Sequence, residues 1–334
     1  MDDLEQLSVN RWELLRLRSD AISLDVLPGL GGTIVSLRRR SDDTELLWRT
    51  PWGLRPQGSW SVPGSSHAVM LDTYPGGWQT LFPNGGDTAI VHGVEWGHDG
   101  EARLSPFVWE HAGSSLTMTT RLVRAPFEVT KEISVSGDEV TVTETITNVG
   151  GEVLEVIWGQ EIVLGEPLVS QHTVVDAAAT TVHPDPAFTS DAGYDDVLPW
   201  PRSFGTSGIT NLRNLPGRGA DETRLAYVTD FLTPQVTVRN PRLDLGLDLR
   251  WDGDTWPHLW YSMEAGQRTG FPWWSDGYFF SLTPSSSWPA HGIHDARRVA
   301  QTTLWVSPSE TKSAHLTLRV HPASESVGAG PAPA

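Results

Sequence analysis

Four segments of the chain combine turn-forming residues, aromatic rings and ionisable side chains, as an active site or ligand cleft would. They are residues 74–87, 93–102, 156–165 and 256–284. Their carboxylates and imidazoles could transfer protons, and each placed group contributes about 10²–10⁴-fold when its pKa lies near the working pH. Carboxylates crowded together raise the pKa of one member, so a cluster could supply both an acid and a base. The same oxygens would suit a hard divalent cation.

Tryptophan is the unusual feature of the composition, with 16 in 334 residues. Several stand beside Gly, Pro and polar residues in predicted loops, among them Trp78 and Trp273. The apolar C–H faces of a sugar stack on aromatic rings, so tryptophans in loops favour a carbohydrate ligand. Packing beneath long loops is the alternative for any single one of them.

Three glycine-rich motifs follow one another along the chain. They are Leu-Pro-Gly-Leu-Gly-Gly at 27–32, Gly-Trp-Gln-Thr-Leu-Phe-Pro-Asn-Gly-Gly-Asp at 77–87 and Trp-Gly-Gln-Glu-Ile-Val-Leu-Gly at 158–165. In order and spacing they resemble the aldose 1-epimerase (galactose mutarotase-like) family over residues 20–320. The resemblance implies a β-supersandwich with a sugar cleft on one sheet face, no cofactor and no metal. It also implies interconversion of sugar anomers, in which a carboxylate deprotonates the anomeric hydroxyl while an acid, usually His, protonates the ring oxygen.

The positions that carry the acid and base in that family hold other residues here. Asp99 stands where the family has a His before Gly-Glu, and His98 comes one residue earlier. Glu161 replaces the His that follows Trp-Gly, and Thr283 replaces the Glu before Pro. We therefore hypothesise an altered catalytic set of Asp99, Glu161 and Glu264, in which crowded carboxylates supply both an acid and a base. His98 would assist as an acid if a bulge turned it into the cleft.

The leading hypothesis is a carbohydrate-acting isomerase of the aldose 1-epimerase type with that altered set. Two alternatives stay open: a non-catalytic sugar-binding or sensor protein, and a metal-dependent sugar lyase or epimerase that uses the carboxylate cluster. The residues expected to contact the sugar are Trp78, Asn84, Arg55, Gln160, Thr283 and Trp273.

Charge and composition limit the classes of partner and of chemistry that the sequence allows. The net charge of −17 disfavours nucleic acid and anionic membranes, which an acidic surface repels. The absence of Cys excludes disulfides and thiolate chemistry. No apolar run approaches the roughly 18 residues of a membrane span, and the acidic start lacks the features of a signal peptide. We therefore expect a soluble cytoplasmic protein that binds a small-molecule carbohydrate; its oligomeric state is left open.

The elements that position these segments are predicted to be strands, because β-branched residues recur with period two along the chain. The clearest pair is Phe127–Val135 and Val140–Thr147, separated by a turn at Gly137. Residues 4–17 could form either a helix or an opening strand. The pattern predicts an all-β fold, a large antiparallel β-sandwich in one domain over residues 1–323. Residues 324–334 are small and rich in Pro and Gly, which predicts a disordered tail.

Overall fold

The computed structural model describes residues 4–58, 65–189, 191–205 and 208–325. The predicted tail therefore lies outside the described residues, apart from its first two positions. The strands are β1 (Glu5–Val9), β2 (Trp12–Arg18), β3 (Ile22–Leu27), β4 (Thr33–Arg39), β5 (Thr44–Glu45), β6 (Trp78–Leu81), β7 (Ala89–Val91), β8 (Val94–Trp96), β9 (Val108–Ala112), β10 (Ser115–Arg121), β11 (Phe127–Ser136), β12 (Glu139–Asn148), β13 (Leu154–Val156), β14 (Gly159–Leu164), β15 (Val174–Pro184), β16 (Leu198–Pro199), β17 (Arg202–Gly205), β18 (Gly208–Asn211), β19 (Glu222–Asn240), β20 (Leu245–Trp251), β21 (His258–Ala265), β22 (Tyr278–Ser285), β23 (Leu304–Val306) and β24 (Thr311–His321). The helices are α1 (Ser66–Thr73) and α2 (Ile293–Val299), with 3₁₀ turns at Ala102–Leu104, Pro186–Phe188 and Pro241–Leu243.

One long strand, β19, joins two large antiparallel sheets. Its first half pairs with β21, from which the sheet continues through β22, β14, β6 and β4 to the N-terminal strands. Its second half pairs with β20, which leads through β24, β12, β11 and β10 to β9. Eighteen strands of the described chain thus share one hydrogen-bonded network. The predicted all-β, antiparallel sandwich is confirmed.

Burial patterns show which sheet faces are covered. The predicted hairpin forms as β11 and β12 around Gly137, and both strands alternate between buried and open positions, so one face packs inward. In β22, by contrast, all eight residues are buried. A strand buried at every position has cover on both faces. One face of β22 packs on the core, and the other face forms part of the wall of a cavity.

Residues 4–17, left open between helix and strand, form the hairpin of β1 and β2. Helix α1 forms at Ser66–Thr73, where no helix was predicted from the sequence. Ser65 caps this helix by accepting a hydrogen bond from Ala68 N at 3.2 Å. Within the described residues, no helix has the length and apolar character needed to cross a membrane.

A buried carboxylate links the two sheets through the interior. Glu144 of β12 accepts hydrogen bonds from Trp158 Nε1 at 2.7 Å, from Gln160 Nε2 at 2.8 Å and from Thr80 Oγ1. Its charged partner is Lys131, whose Nζ lies 3.5 Å away, and both side chains are almost fully buried. Burial lowers the pKa of Lys131, although the Glu144 charge opposes that shift. We call these five residues the Glu144 network.

Candidate functional site

A cavity of about 340 Å³ lies on the outer face of β14, β22, β21 and β19. The pairing of Ile162 with Leu282 sets Glu161 of β14 beside Thr283 of β22, and Thr283 in turn pairs with Trp260 of β21. These three side chains line the cavity as one row. Because strand side chains alternate, the neighbour of Glu161 on each side points to the core instead. The wall is completed by α1 and by the loops around residues 86–103 and 268–273.

Half of the residues predicted from the sequence line this cavity, and half do not. Those that line it are Asp99, Glu161, His98, Thr283 and Trp273. Those that lie elsewhere are Glu264, Trp78, Asn84, Arg55 and Gln160.

Glu161 has the protonation behaviour expected of an acid or base near neutral pH. Burial raises its pKa to about 7; the charge of Arg103 opposes this shift and that of Asp99 adds to it. Arg103 Nη2 lies 3.5 Å from Glu161 Oε2. The Tyr74 hydroxyl also contacts this carboxylate, and burial together with the Glu161 charge raises the pKa of Tyr74 well above its usual value. Glu161 can therefore take up or release a proton at small cost.

Asp99 is held as an ion. Its Oδ1 accepts a hydrogen bond from Gly86 N at 2.8 Å, and its Oδ2 accepts one from Arg103 Nη1. Burial alone would raise the pKa of Asp99, but the charges of His98 and Arg103 outweigh burial and lower it. Arg103 is itself almost fully buried and donates to Gln79 Oε1 as well. Asp99 therefore anchors Arg103 beside Glu161.

His98 and Asp99 both reach the cavity, although they are adjacent. They lie in a turn rather than a strand, and Asp99 takes a left-handed φ of 56°. His98 Nε2 is 3.5 Å from Asp99 Oδ2, and its Nδ1 is 3.7 Å from Asp87 Oδ1. Its ring stacks on that of His67 from α1, with 4.3 Å between ring centroids. Burial and the His98 charge lower the pKa of His67.

His291 adds a positive charge to the site, although it was not among the residues predicted from the sequence. Its Nε2 lies 2.8 Å from Asp185 Oδ2, and its Nδ1 lies 3.6 Å from Asp87 Oδ2. Hydrogen bonds to these two carboxylates raise the pKa of His291 to about 10. The ring lines the cavity as an imidazolium. No sequence spacing signalled it, since its partners lie about 100 and 200 residues away.

Arg268 is a third positive group of the wall, after Arg103 and His291, and Glu264 holds it in place. The guanidinium lies over Phe188 at 4.9 Å and over Trp273 at 6.0 Å, while its Nε is 3.2 Å from Glu264 Oε2. Glu264 Oε2 accepts a hydrogen bond from Thr223 Oγ1 at 2.6 Å, and its Oε1 accepts two backbone N–H groups of the following turn. The Glu264 carboxylate is thus engaged outside the cavity, where it fixes the turn that carries Arg268.

The other residues predicted to contact the sugar lie outside the cavity and support the elements that form its wall. Trp78 Nε1 donates to Gln160 Oε1 at 3.0 Å, and both side chains are buried on the core side of the sheet. Asn84 is fully buried; its amide donates to two turn carbonyls and accepts the first N–H of α2 at 3.0 Å. Arg55 lies near the end of α1, with Nη1 3.5 Å from Asp72 O.

The three predicted carboxylates do not meet in one place, since only Asp99 and Glu161 line the cavity. In the part of the chain that the structure describes, no group of three or more His, Asp or Glu side chains is arranged to hold a metal ion. The oxygens of Asp99 are also engaged with Arg103 and a backbone N–H. The donor set therefore does not fit a cation on the carboxylate cluster.

Comparison with known proteins shows which solved structures have a similar fold. No protein-family model matches the sequence, and neither does any curated protein. Among solved structures, a putative aldose 1-epimerase from Klebsiella pneumoniae is similar with a TM-score of 0.72 and 12% identity, over 96% of this chain and 84% of that one. The Slr1438 protein of Synechocystis sp. PCC 6803 gives 0.67 and 17%, over 96% and 100%. A putative aldose 1-epimerase from Escherichia coli K12 gives 0.63 and 18%, over 92% and 99%.

These similarities show that the chain has the mutarotase-like β-sandwich fold, as its motifs implied. They extend over nearly the whole described chain and over most of each neighbour. At identities of 12–18% they speak for the fold alone. The case for a function therefore rests on the side chains of the cavity.

Proposed function

We propose that the protein is a carbohydrate-acting isomerase of aldose 1-epimerase type, which interconverts sugar anomers by acid/base ring opening. The observation that carries the proposal is Glu161: a carboxyl group with a pKa of about 7, on the floor of a cavity of about 340 Å³. Trp260 and Trp273 supply aromatic surface in the same cavity. A titratable group with a shifted pKa in a cavity lined by aromatic and charged side chains is typical of an active site.

In this mechanism Glu161 acts as the base. It takes the proton of the anomeric hydroxyl while the bond between C1 and the ring oxygen breaks and a C1 carbonyl forms. The ring oxygen receives a proton from His98, which stands between the carboxylates of Asp87 and Asp99. Rotation about the C1–C2 bond and reversal of these transfers give the other anomer, so both groups return to their starting states. Each transfer contributes about 10²–10⁴-fold.

Arg103 has a positioning role in this scheme. It touches Asp99, Gln79 and Glu161 and lies 5.2 Å from the centre of the Tyr74 ring. Its charge limits the rise in the pKa of Glu161 that burial would otherwise cause. Arg103 thereby helps to keep the pKa of Glu161 close to neutrality, where one group serves as base in opening and as acid in closure.

The test is anomer exchange in a panel of free aldoses, followed by polarimetry after dissolving one anomer and by NMR saturation transfer at equilibrium. The wild-type protein should equilibrate at least one aldose faster than buffer does. Glu161→Gln and His98→Asn should each slow that exchange by about 10²-fold or more. If no aldose equilibrates faster than in buffer, the proposal is wrong.

A second candidate function is a sugar-binding or sensor protein without turnover. It is favoured by the engagement of Asp99 with Arg103 and by Thr283, a residue that does not titrate, beside Glu161. This candidate predicts saturable binding of a sugar by calorimetry, with no acceleration of anomer exchange. Acceleration that is lost in Glu161→Gln would exclude it.

A further inference from the structure

Two aromatic rings continue the apolar wall of the cavity outward to its mouth. Phe271 lines the cavity, yet 55% of its surface is exposed, so it stands where the cavity meets solvent. Trp52 stacks on it, with 6.2 Å between ring centroids and 17° between ring planes. We call Trp52 and Phe271 the aromatic rim. Exposed apolar surface next to a cavity commonly marks a binding groove.

The rim is held in place by the residues that form the cavity. Trp52 Nε1 donates a hydrogen bond to Tyr74 O at 3.2 Å, and Tyr74 lines the cavity beside Glu161. The loop that carries Phe271 is closed by a hydrogen bond from Trp274 N to Gly270 O at 2.7 Å. A platform ordered before binding loses little conformational entropy when a ligand settles on it.

The size of the cavity limits what fits inside it. A volume of about 340 Å³ is near the lower end of the range for small-ligand pockets, about 300–1,000 Å³. A single sugar ring fills such a space, and a group attached to that ring must leave through the mouth. The group would then cross the rim, where the C–H face of a sugar can stack on an aromatic ring.

We propose that the aromatic rim is a subsite for a second sugar ring, so that the substrates are reducing oligosaccharides whose terminal ring occupies the cavity. This inference rests on the proposed function. A protein partner would need more surface, because a stable interface buries about 800 Å² on each side. Two aromatic side chains offer at most about 300–500 Å², which suits one sugar ring.

The experiment compares the binding of monosaccharides and disaccharides that share the same reducing ring. Calorimetry would use D-glucose against maltose and cellobiose, D-galactose against 1,4-linked galactobiose, and D-mannose against 1,4-linked mannobiose. The proteins are wild type, Phe271→Leu, Trp52→Leu, and Trp52→Phe, which keeps a ring. Trp305→Ala is the matched control, since Trp305 of β23 is 58% exposed and lies outside the cavity wall.

At least one disaccharide should bind the wild type about 3–10-fold more tightly than its monosaccharide, as one stacking contact provides. Trp52→Leu should remove that preference without changing monosaccharide affinity. Phe271→Leu should weaken binding of the disaccharide more than that of the monosaccharide, since Phe271 also lines the cavity. Trp52→Phe and Trp305→Ala should keep the preference. Equal affinity for both sizes in wild type, or equal weakening of both by the rim variants, would overturn the subsite and leave the isomerase proposal standing. If sugars of neither size bind, both proposals fail.

Discussion

Replacing Glu161 by Gln should make the protein slower and more stable at the same time. The kinetic part follows from the loss of the base, which should lower kcat for anomer exchange by about 10²–10⁴-fold. In the wild type, the limb of the pH profile on which exchange rises should have its midpoint near 7, because Glu161 must be ionised to accept the proton. Glu161→Gln should lose this midpoint along with the rate.

The gain in stability follows from proton linkage. The pKa of Glu161 rises from 4.5 to about 7 on folding, so the folded protein holds a proton that the unfolded chain has released. The wild type therefore loses stability as pH rises from about 4.5 to 7, and the cost is complete above pH 7. At about 1.4 kcal/mol for each tenfold change in proton affinity, that cost is about 3 kcal/mol at most. Gln carries no charge and escapes it.

The assay pairs anomer exchange with thermal unfolding at pH 4 and pH 8. Glu161→Gln should have a higher Tm than wild type at pH 8 and a similar Tm at pH 4. Glu166→Gln is the control, since Glu166 lies just after the same strand, half exposed and paired with Arg218 on the surface. It should change neither rate nor Tm appreciably. The reasoning is refuted if Glu161→Gln keeps the wild-type rate, or if it is less stable than wild type at pH 8.

Three further predictions concern buried ionisable side chains. Burial lowers the pKa of His258 to about 4, so the stability of the wild type should fall by up to about 3 kcal/mol between pH 6.5 and 4. Thermal melts of His258→Gln should show a smaller fall over that range. Glu264→Gln should lower the free energy of unfolding by about 1–3 kcal/mol in urea titrations, while the kinetic midpoint stays near pH 7. Lys131→Met should cost about 3–5 kcal/mol, because Glu144 is left buried without its cation, and adding Glu144→Gln should recover part of this loss.

The sequence indicated the fold well because local alternation carries that information. The hairpin of β11 and β12 was predicted to within one residue at each outer end, since its turn and its two-residue period are both local signals. The site was harder to predict, because strand register and loop contacts decide which side chains meet. Glu161 and its neighbour Gln160 look equally polar in sequence, yet only Glu161 faces the cavity.

The residues that sequence reasoning missed come to the cavity from loops and from α1. Arg103 stands four residues after Asp99, and this spacing of opposite charges was the available signal for their pairing. His67 had no comparable signal, because its partner His98 is distant in sequence and stacks only in the fold. Arg268 is close to Glu264 in sequence, but its position in the wall depends on the turn that follows β21.

The Glu144 network also helps to fix the register of β14. Gln160 and Glu161 are successive polar residues, so a slip of one position would exchange them between the interior and the cavity. The amide of Gln160 satisfies a fixed carboxylate in the interior, with Trp78 as a further partner. A second carboxylate in that place would face Glu144 with like charge. The opposite sheet therefore selects the register of β14, and the position of Glu161 in the cavity depends on a buried ion pair on the other face of the strand.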